Sequence, residues 1–136
     1  TKLTELRCSE NQLTALDVSK KTKLTDLWCH NNQLTSLDVS KNTELTTLNC
    51  YVNKLTALDV SNNTKLIQLW CSSNQLTTLD VSKTNLVNNS ISNYCLHCRM
   101  ASLQTLYLKT GWQLEGINKN RDENYIHPNT RIKYKD

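Results

Sequence analysis

Six cysteines hold most of the chemistry open to this 136-residue chain, and four of them are evenly spaced. Cys8, Cys29, Cys50 and Cys71 stand 21 residues apart, while Cys95 and Cys98 form a C-x-x-C pair with His97 inside it. Thiols in such numbers could hold a metal, close disulfides or run a redox cycle. A zinc site at Cys95 and Cys98 would need further ligands, and only His30 and His127 remain as histidines. No βαβ pattern surrounds the pair, as a redox motif of this spacing would require. Cys95 and Cys98 are therefore expected as surface loop thiols or as a local disulfide. No Ser–His–acid arrangement, phosphate-cradling glycine loop or facing carboxylate pair can be assembled. Glu5 and Asp26 share a column, but Thr47 and Gln68 replace the acid further along. The sequence gives no reason to expect an enzyme, a metal or a cofactor.

A repeat positions the four regular cysteines. Each lies in the frame L-x-x-L-x-C-x-x-N-x-L-T-x-L-D-V-S, begun by Leu3, Leu24, Leu45 and Leu66. Side chains alternate around the cysteine, so that Leu6 and Cys8 point inward while Glu5, Arg7 and Ser9 point outward. One such unit cannot bury its own apolar side, but stacked copies share a continuous core. Stacking lays the strands side by side as a parallel sheet, roughly 4.8 Å apart. The asparagines Asn11, Asn32, Asn53 and Asn74 follow the strand, where an inward amide can bond backbone groups of adjacent turns. On the return path Leu16 and Val18 alternate, which indicates an extended segment, and Asp17 and Ser19 of D-V-S suit local side-chain bonds at a turn. Glycine is absent from the four regular copies, so Asn and Asp are expected at the corners.

In this register the four cysteines form a column roughly 14 Å long, from three strand spacings, which cannot surround one ion. Their Cβ vectors run side by side, so pairing would twist the sheet. Reduced, stacked thiols acting as small buried hydrophobes are expected. The outward positions form columns too: Arg7, Trp28, Asn49, Trp70 and Tyr107; Ser9, His30, Tyr51 and Ser72; Glu5, Asp26, Thr47 and Gln68. A repeat consensus does not require tryptophans and a tyrosine facing solvent. The candidate binding face is therefore Asp26, Trp28, His30, Asn49, Tyr51, Gln68, Trp70 and Tyr107. Flat rings beside hydrogen-bonding groups suit sugar faces and protein hot spots alike. The bland reading is that strand-favouring aromatics simply pack along the sheet.

The repeat matches the leucine-rich consensus L-x-x-L-x-L-x-x-N/C-x-L with cysteine at the third apolar position. Over residues 1–82 it resembles the cysteine-ladder repeats of bacterial leucine-rich repeat proteins, both the internalin J-like kind and Bacteroides-type surface proteins. The resemblance implies a solenoid with a parallel concave sheet, an extended or short-strand convex side and a C-terminal cap. It also implies a non-enzymatic interaction module of a cell-surface or secreted protein, used for adhesion or partner binding. The partner would be a protein or glycan held on the concave face. The alternative is a structural spacer with no ligand of its own.

Beyond the four regular repeats of 1–82, residues 83–102 are expected as a degenerate, shortened repeat or a loop, with Ile91 near the cysteine slot. Residues 103–136 are expected as a terminal repeat and cap within the same single domain. There Leu106 and Leu108 would form the last concave strand, Gly111 and Gly116 would bracket Trp112 and Leu114 with Ile117 following, and Tyr125, Ile126, Ile132 and Tyr134 would make a short hairpin. Residues 1–82 hold eight basic and eight acidic side chains, so the net charge of +4 resides in the remainder. A neutral solenoid with a mildly basic end does not match a nucleic-acid footprint. Neither a signal peptide nor a membrane-spanning run is expected within these residues. A bare solenoid start reads as part of something longer, and the unit itself is expected as a monomer.

Overall fold

A computed structural model describes residues 2–86, 90–91, 95–114 and 126–136. The expectations for Gly116, Ile117 and Tyr125 lie outside the described residues. Along the chain run β1 (Glu5–Arg7), β2 (Asp26–Trp28), β3 (Thr47–Asn49), β4 (Gln68–Trp70) and β5 (Thr78–Asp80). They are followed by β6 (Ser90–Ile91), β7 (Leu96–His97), β8 (Thr105–Lys109), β9 (Gln113–Leu114) and β10 (Arg131–Lys135). All pairings are parallel, in sheets ordered β1-β2-β3-β4-β7, β5-β8-β10 and β6-β9.

The first sheet keeps one residue of the repeat opposite its equivalent in the next: Leu6, Leu27, Leu48, Leu69 and Leu96 are in register. Inward side chains fill the solenoid. Leu24, Leu27, Leu34, Leu45, Leu48, Leu55, Leu66, Leu69 and Leu76 are buried, as are Val18, Val39, Val60 and Val81 on the return path. In the first turn Leu6, Cys8, Leu13 and Leu16 are only partly covered, because that turn has a neighbour on one side only.

Asparagines hold the turns together. Asn53 Nδ2 donates to the carbonyls of Cys29 (3.1 Å) and Cys50 (3.0 Å), and its Oδ1 accepts the Leu34 amide at 3.0 Å. Asn32 and Asn74 repeat this one turn earlier and one turn later. Each amide thus satisfies buried backbone groups that the sheet leaves over. A second ladder, which the sequence reading missed, runs along the return side. Asn42 Nδ2 donates to Val18 and Lys21 carbonyls, and Asn63 Nδ2 to those of Val39 and Asn42. The aspartates act as expected, with Asp17, Asp38, Asp59 and Asp80 each accepting the amide of the serine two residues on. The corners differ from expectation. The left-handed residues are Glu10, Asn31, Val52 and Ser73, with φ between 53° and 58°, so only one of the four is asparagine.

Three expectations for the last third are overturned. First, the fifth turn is longer than the others, not shorter: β7 pairs with β4, which puts Cys98 opposite Cys71, 27 residues on (98 − 71). Cys98 is buried and no loop thiol. Ile91 lies in the two-stranded sheet instead of the cysteine slot. Second, β8 belongs to the return side. Leu106 sits opposite Leu79 and Tyr107 opposite Asp80. The cause is that the repeat contains the same apolar spacing twice, in Leu3-x-x-Leu6-x-Cys8 and in Leu13-x-x-Leu16-x-Val18. Leu103-x-x-Leu106-x-Leu108 fits both and takes the second. Third, among the described residues the terminal segment forms no hairpin; β10 adds parallel to β8, Ile132 opposite Leu106.

Candidate concave binding face

Because the strands are in register, their outward residues fall into rows. The central row is Arg7, Trp28, Asn49, Trp70 and His97. His97, not Tyr107, is its fifth member. Tyr107 is removed from the candidate face: it lies on the return sheet, where Lys135 Nζ sits 4.1 Å from its ring centroid and reaches Asp80 at 2.7 Å. The signal for His97 was present in the sequence as the tripeptide Leu96-His97-Cys98, which repeats Leu27-Trp28-Cys29 and Leu69-Trp70-Cys71.

The rings form a connected cluster. Trp28 and Trp70 come from strands two places apart, a separation of roughly 9.6 Å, yet their ring centroids are 6.2 Å apart in an edge-to-face contact at 75°. The two indoles therefore lean toward each other across the strand between them. That strand carries Asn49, which is left only 1% exposed. Asn49 points outward by register but is roofed by its neighbours, which alternation alone cannot show. Trp28 also meets the His30 ring at 6.1 Å, and His30 stacks on Tyr51 at 4.6 Å with the planes 8° apart. Such pairings add to the burial of each ring. Arg7 lies over Trp28 at 5.0 Å and is paired with Glu5. Asp26 and Gln68 flank the cluster on the row before it; Asp26 accepts a bond from the Thr25 hydroxyl, and Gln68 is exposed.

Two serine–histidine pairs orient the imidazoles. Ser9 Oγ lies 2.8 Å from His30 Nδ1, and Ser72 Oγ lies 2.5 Å from His97 Nδ1. The Arg99 amide also donates to Ser72 Oγ. Burial, and then the charge of Arg99, pushes the His97 pKa below its ordinary value, so the ring is neutral at neutral pH. Beside it opens a cavity of about 460 Å³ lined by Tyr51, Val52, Trp70, Ser72, Ser73 and His97. Val52, Ser72, Ser73 and His97 were not among the binding-face residues expected from the sequence. Val52 is 41% exposed, and it holds a left-handed φ of 53° that a β-branched side chain adopts only under strain.

Behind the face runs the thiol column. All six cysteines are reduced, and Cys29, Cys50, Cys71 and Cys98 are fully buried. Burial pushes the Cys98 thiol up to about 12, and burial with the neighbouring Cys8 does the same for Cys29. Cys50 and Cys71 are also raised well above the ordinary value, again by burial first. Among the described residues no three His, Cys, Asp or Glu side chains converge on a point where a metal could sit. No described helix is long and apolar enough to cross a membrane.

The model of the family described as leucine-rich repeats (two copies) matches residues 1–42. Among solved structures, the functional domain of InlJ from Listeria monocytogenes, described as including a cysteine ladder, is similar at 36% identity and a TM-score of 0.62. That match covers 97% of this chain and 29% of that one. Internalin C2 of the same organism is similar at 30% identity over 60% of this chain and 37% of its own, with a TM-score of 0.53. A leucine-rich repeat protein of Leptospira interrogans shares the fold at 22% identity and a TM-score of 0.55, covering 97% of this chain and 42% of that one. The chain spans less than half the length of each. No curated protein sequence matches it.

Proposed function

Since the chain is a leucine-rich repeat solenoid of the cysteine-ladder type, similar to bacterial internalin-like proteins, we propose that it is a non-enzymatic interaction module holding a protein or glycan partner on its concave face. The observation that carries this reading is the ring cluster. Trp28, Trp70, His30 and Tyr51 touch one another on the outer side of a sheet whose core is already filled by Leu27, Cys29, Leu48, Cys50, Leu69 and Cys71. Half-exposed aromatics grouped on a rigid scaffold are what binding hot spots are made of. Val52 supports the reading. Its exposed side chain lines the cavity beside Tyr51 and Trp70, where it offers apolar surface to a partner. The similarity to internalins supports placing the module in a surface or secreted bacterial protein.

The test is a screen of the purified chain against a glycan array and a displayed peptide library. Hits are then titrated calorimetrically against wild type and Tyr51→Ala. Tyr51 stacks on His30 and takes no part in the Trp28–Trp70 contact, so its removal spares that contact. Loss of about 2 kcal/mol or more of binding free energy in the variant is expected at a hot spot. Hits that bind both proteins equally would place the interaction elsewhere.

A further inference from the structure

Under the indole roof two polar atoms are buried without a hydrogen-bond partner: the acceptor Asn49 Oδ1 and the donor Trp70 Nε1. The residues that carry them are in register on adjacent strands. Asn42 and Asn63 also have an unpartnered Oδ1, but their Nδ2 groups each hold two backbone carbonyls, which explains their presence. Asn49 belongs to neither ladder. A buried polar group left unpaired is costly, and a donor and an acceptor orphaned side by side call for an explanation.

We infer that the face takes a neutral pyranose ring, and that Trp70 moves off Trp28 to admit it. One sugar hydroxyl then accepts from Trp70 Nε1 and donates to Asn49 Oδ1. A hydroxyl is both donor and acceptor, so a single group satisfies both atoms. An apolar side chain in the same place would cover the rings and leave both atoms unpaired. The cavity lined by Tyr51, Trp70 and His97 adjoins the roof and is within the size range of small-molecule sites. Tyr51 and Trp70 offer ring surfaces for the C–H face of a sugar, while Ser72, Ser73 and His97 offer hydrogen bonds at its rim. No lysine, arginine, aspartate or glutamate lines the cavity, which suits a neutral ligand better than a carboxylate or a phosphate. This inference rests on the concave-face reading and sharpens it to a ligand class.

Saturation-transfer NMR tests it with methyl glycosides of glucose, galactose, mannose and N-acetylglucosamine as probes. The proteins compared are wild type, Asn49→Leu, which removes the buried amide, and Trp70→Phe, which keeps a ring and deletes the N–H. At least one glycoside is expected to bind wild type and to bind each variant about tenfold more weakly, while Asn49→Leu melts no lower than wild type. Trp70→Phe carries the test alone should the leucine variant misfold. Two results overturn the inference: none of the four glycosides binds wild type, or the one that binds is held equally well by the variants. If the sugars fail while a library peptide binds and is weakened by Tyr51→Ala, the sugar inference falls and the binding face stands. A glycoside indifferent to Asn49→Leu, Trp70→Phe and Tyr51→Ala alike sinks both.

Discussion

Cys98 is where packing and sequence pattern disagree most, and its reactivity can be worked out from its burial. A thiol at its ordinary pKa of 9.0 is about one-tenth thiolate at pH 8, whereas one at about 12 is about one part in ten thousand thiolate. The reactive fraction of Cys98 is therefore lower by about a thousandfold, before its inaccessibility is counted. Cys29 shares this value, and burial likewise raises Cys50 and Cys71 well above the ordinary one. Cys8 and Cys95 are only half-buried. Pulsed iodoacetamide labelling at pH 8, read by peptide mass mapping, should modify Cys8 and Cys95 first. The other four should wait for an opening of the sheet, and denaturant should level all six. Replacing Cys98 by Ser should cost about 1–3 kcal/mol, as for a buried polar group without a good partner. The reasoning fails if Cys98 labels with Cys95, or if a Cys95–Cys98 disulfide is recovered, because either outcome would take the fifth rung out of the core.

Three other substitutions follow from the geometry. Val52→Asn should stabilise the chain by about 1 kcal/mol in urea unfolding, because asparagine tolerates the left-handed corner that valine occupies under strain. Asn53→Ala should destabilise by about 3 kcal/mol in the same assay, since two carbonyls and one amide on neighbouring turns lose their partner inside the stack. Acid should weaken the fold through the aspartate row. Bonds from the Ser40 side chain and amide hold Asp38 below the ordinary carboxylate value, and serine does the same for Asp17 and Asp59. A depressed folded value means that this contribution is complete above the unfolded pKa of about 3.9 and is lost as pH falls through the folded one. Asp38→Asn should accordingly flatten the fall in melting temperature below pH 4 (about the unfolded value).

The stacked core was legible because a solenoid demands the same residue at the same place in every turn. Four copies of the frame made the cysteine column, the leucine register and the asparagine ladder readable from spacing alone. The fifth turn was not, because six extra residues (27 − 21) break the period before Leu96-His97-Cys98 restores it. Tyr107 went to the wrong sheet because both halves of the repeat use one apolar spacing. The left-handed corners gave no signal, since Glu10, Asn31, Val52 and Ser73 share no chemistry and the turn is imposed by the stack. On the concave face, alternation correctly sent Trp28, His30, Tyr51 and Trp70 outward. It could not show that the two indoles close over Asn49, which depends on how far large rings lean across a strand.

The concave face can be tested directly through its own reporters. Trp28, Trp70 and Trp112 each give an indole N–H resonance, and Trp112 follows β8 on the return side. A proton–nitrogen correlation spectrum recorded while a confirmed ligand is added should move the Trp28 and Trp70 signals and leave that of Trp112 in place. A ligand that binds with the Trp28 and Trp70 signals unmoved would contradict the assignment of this face as the binding surface.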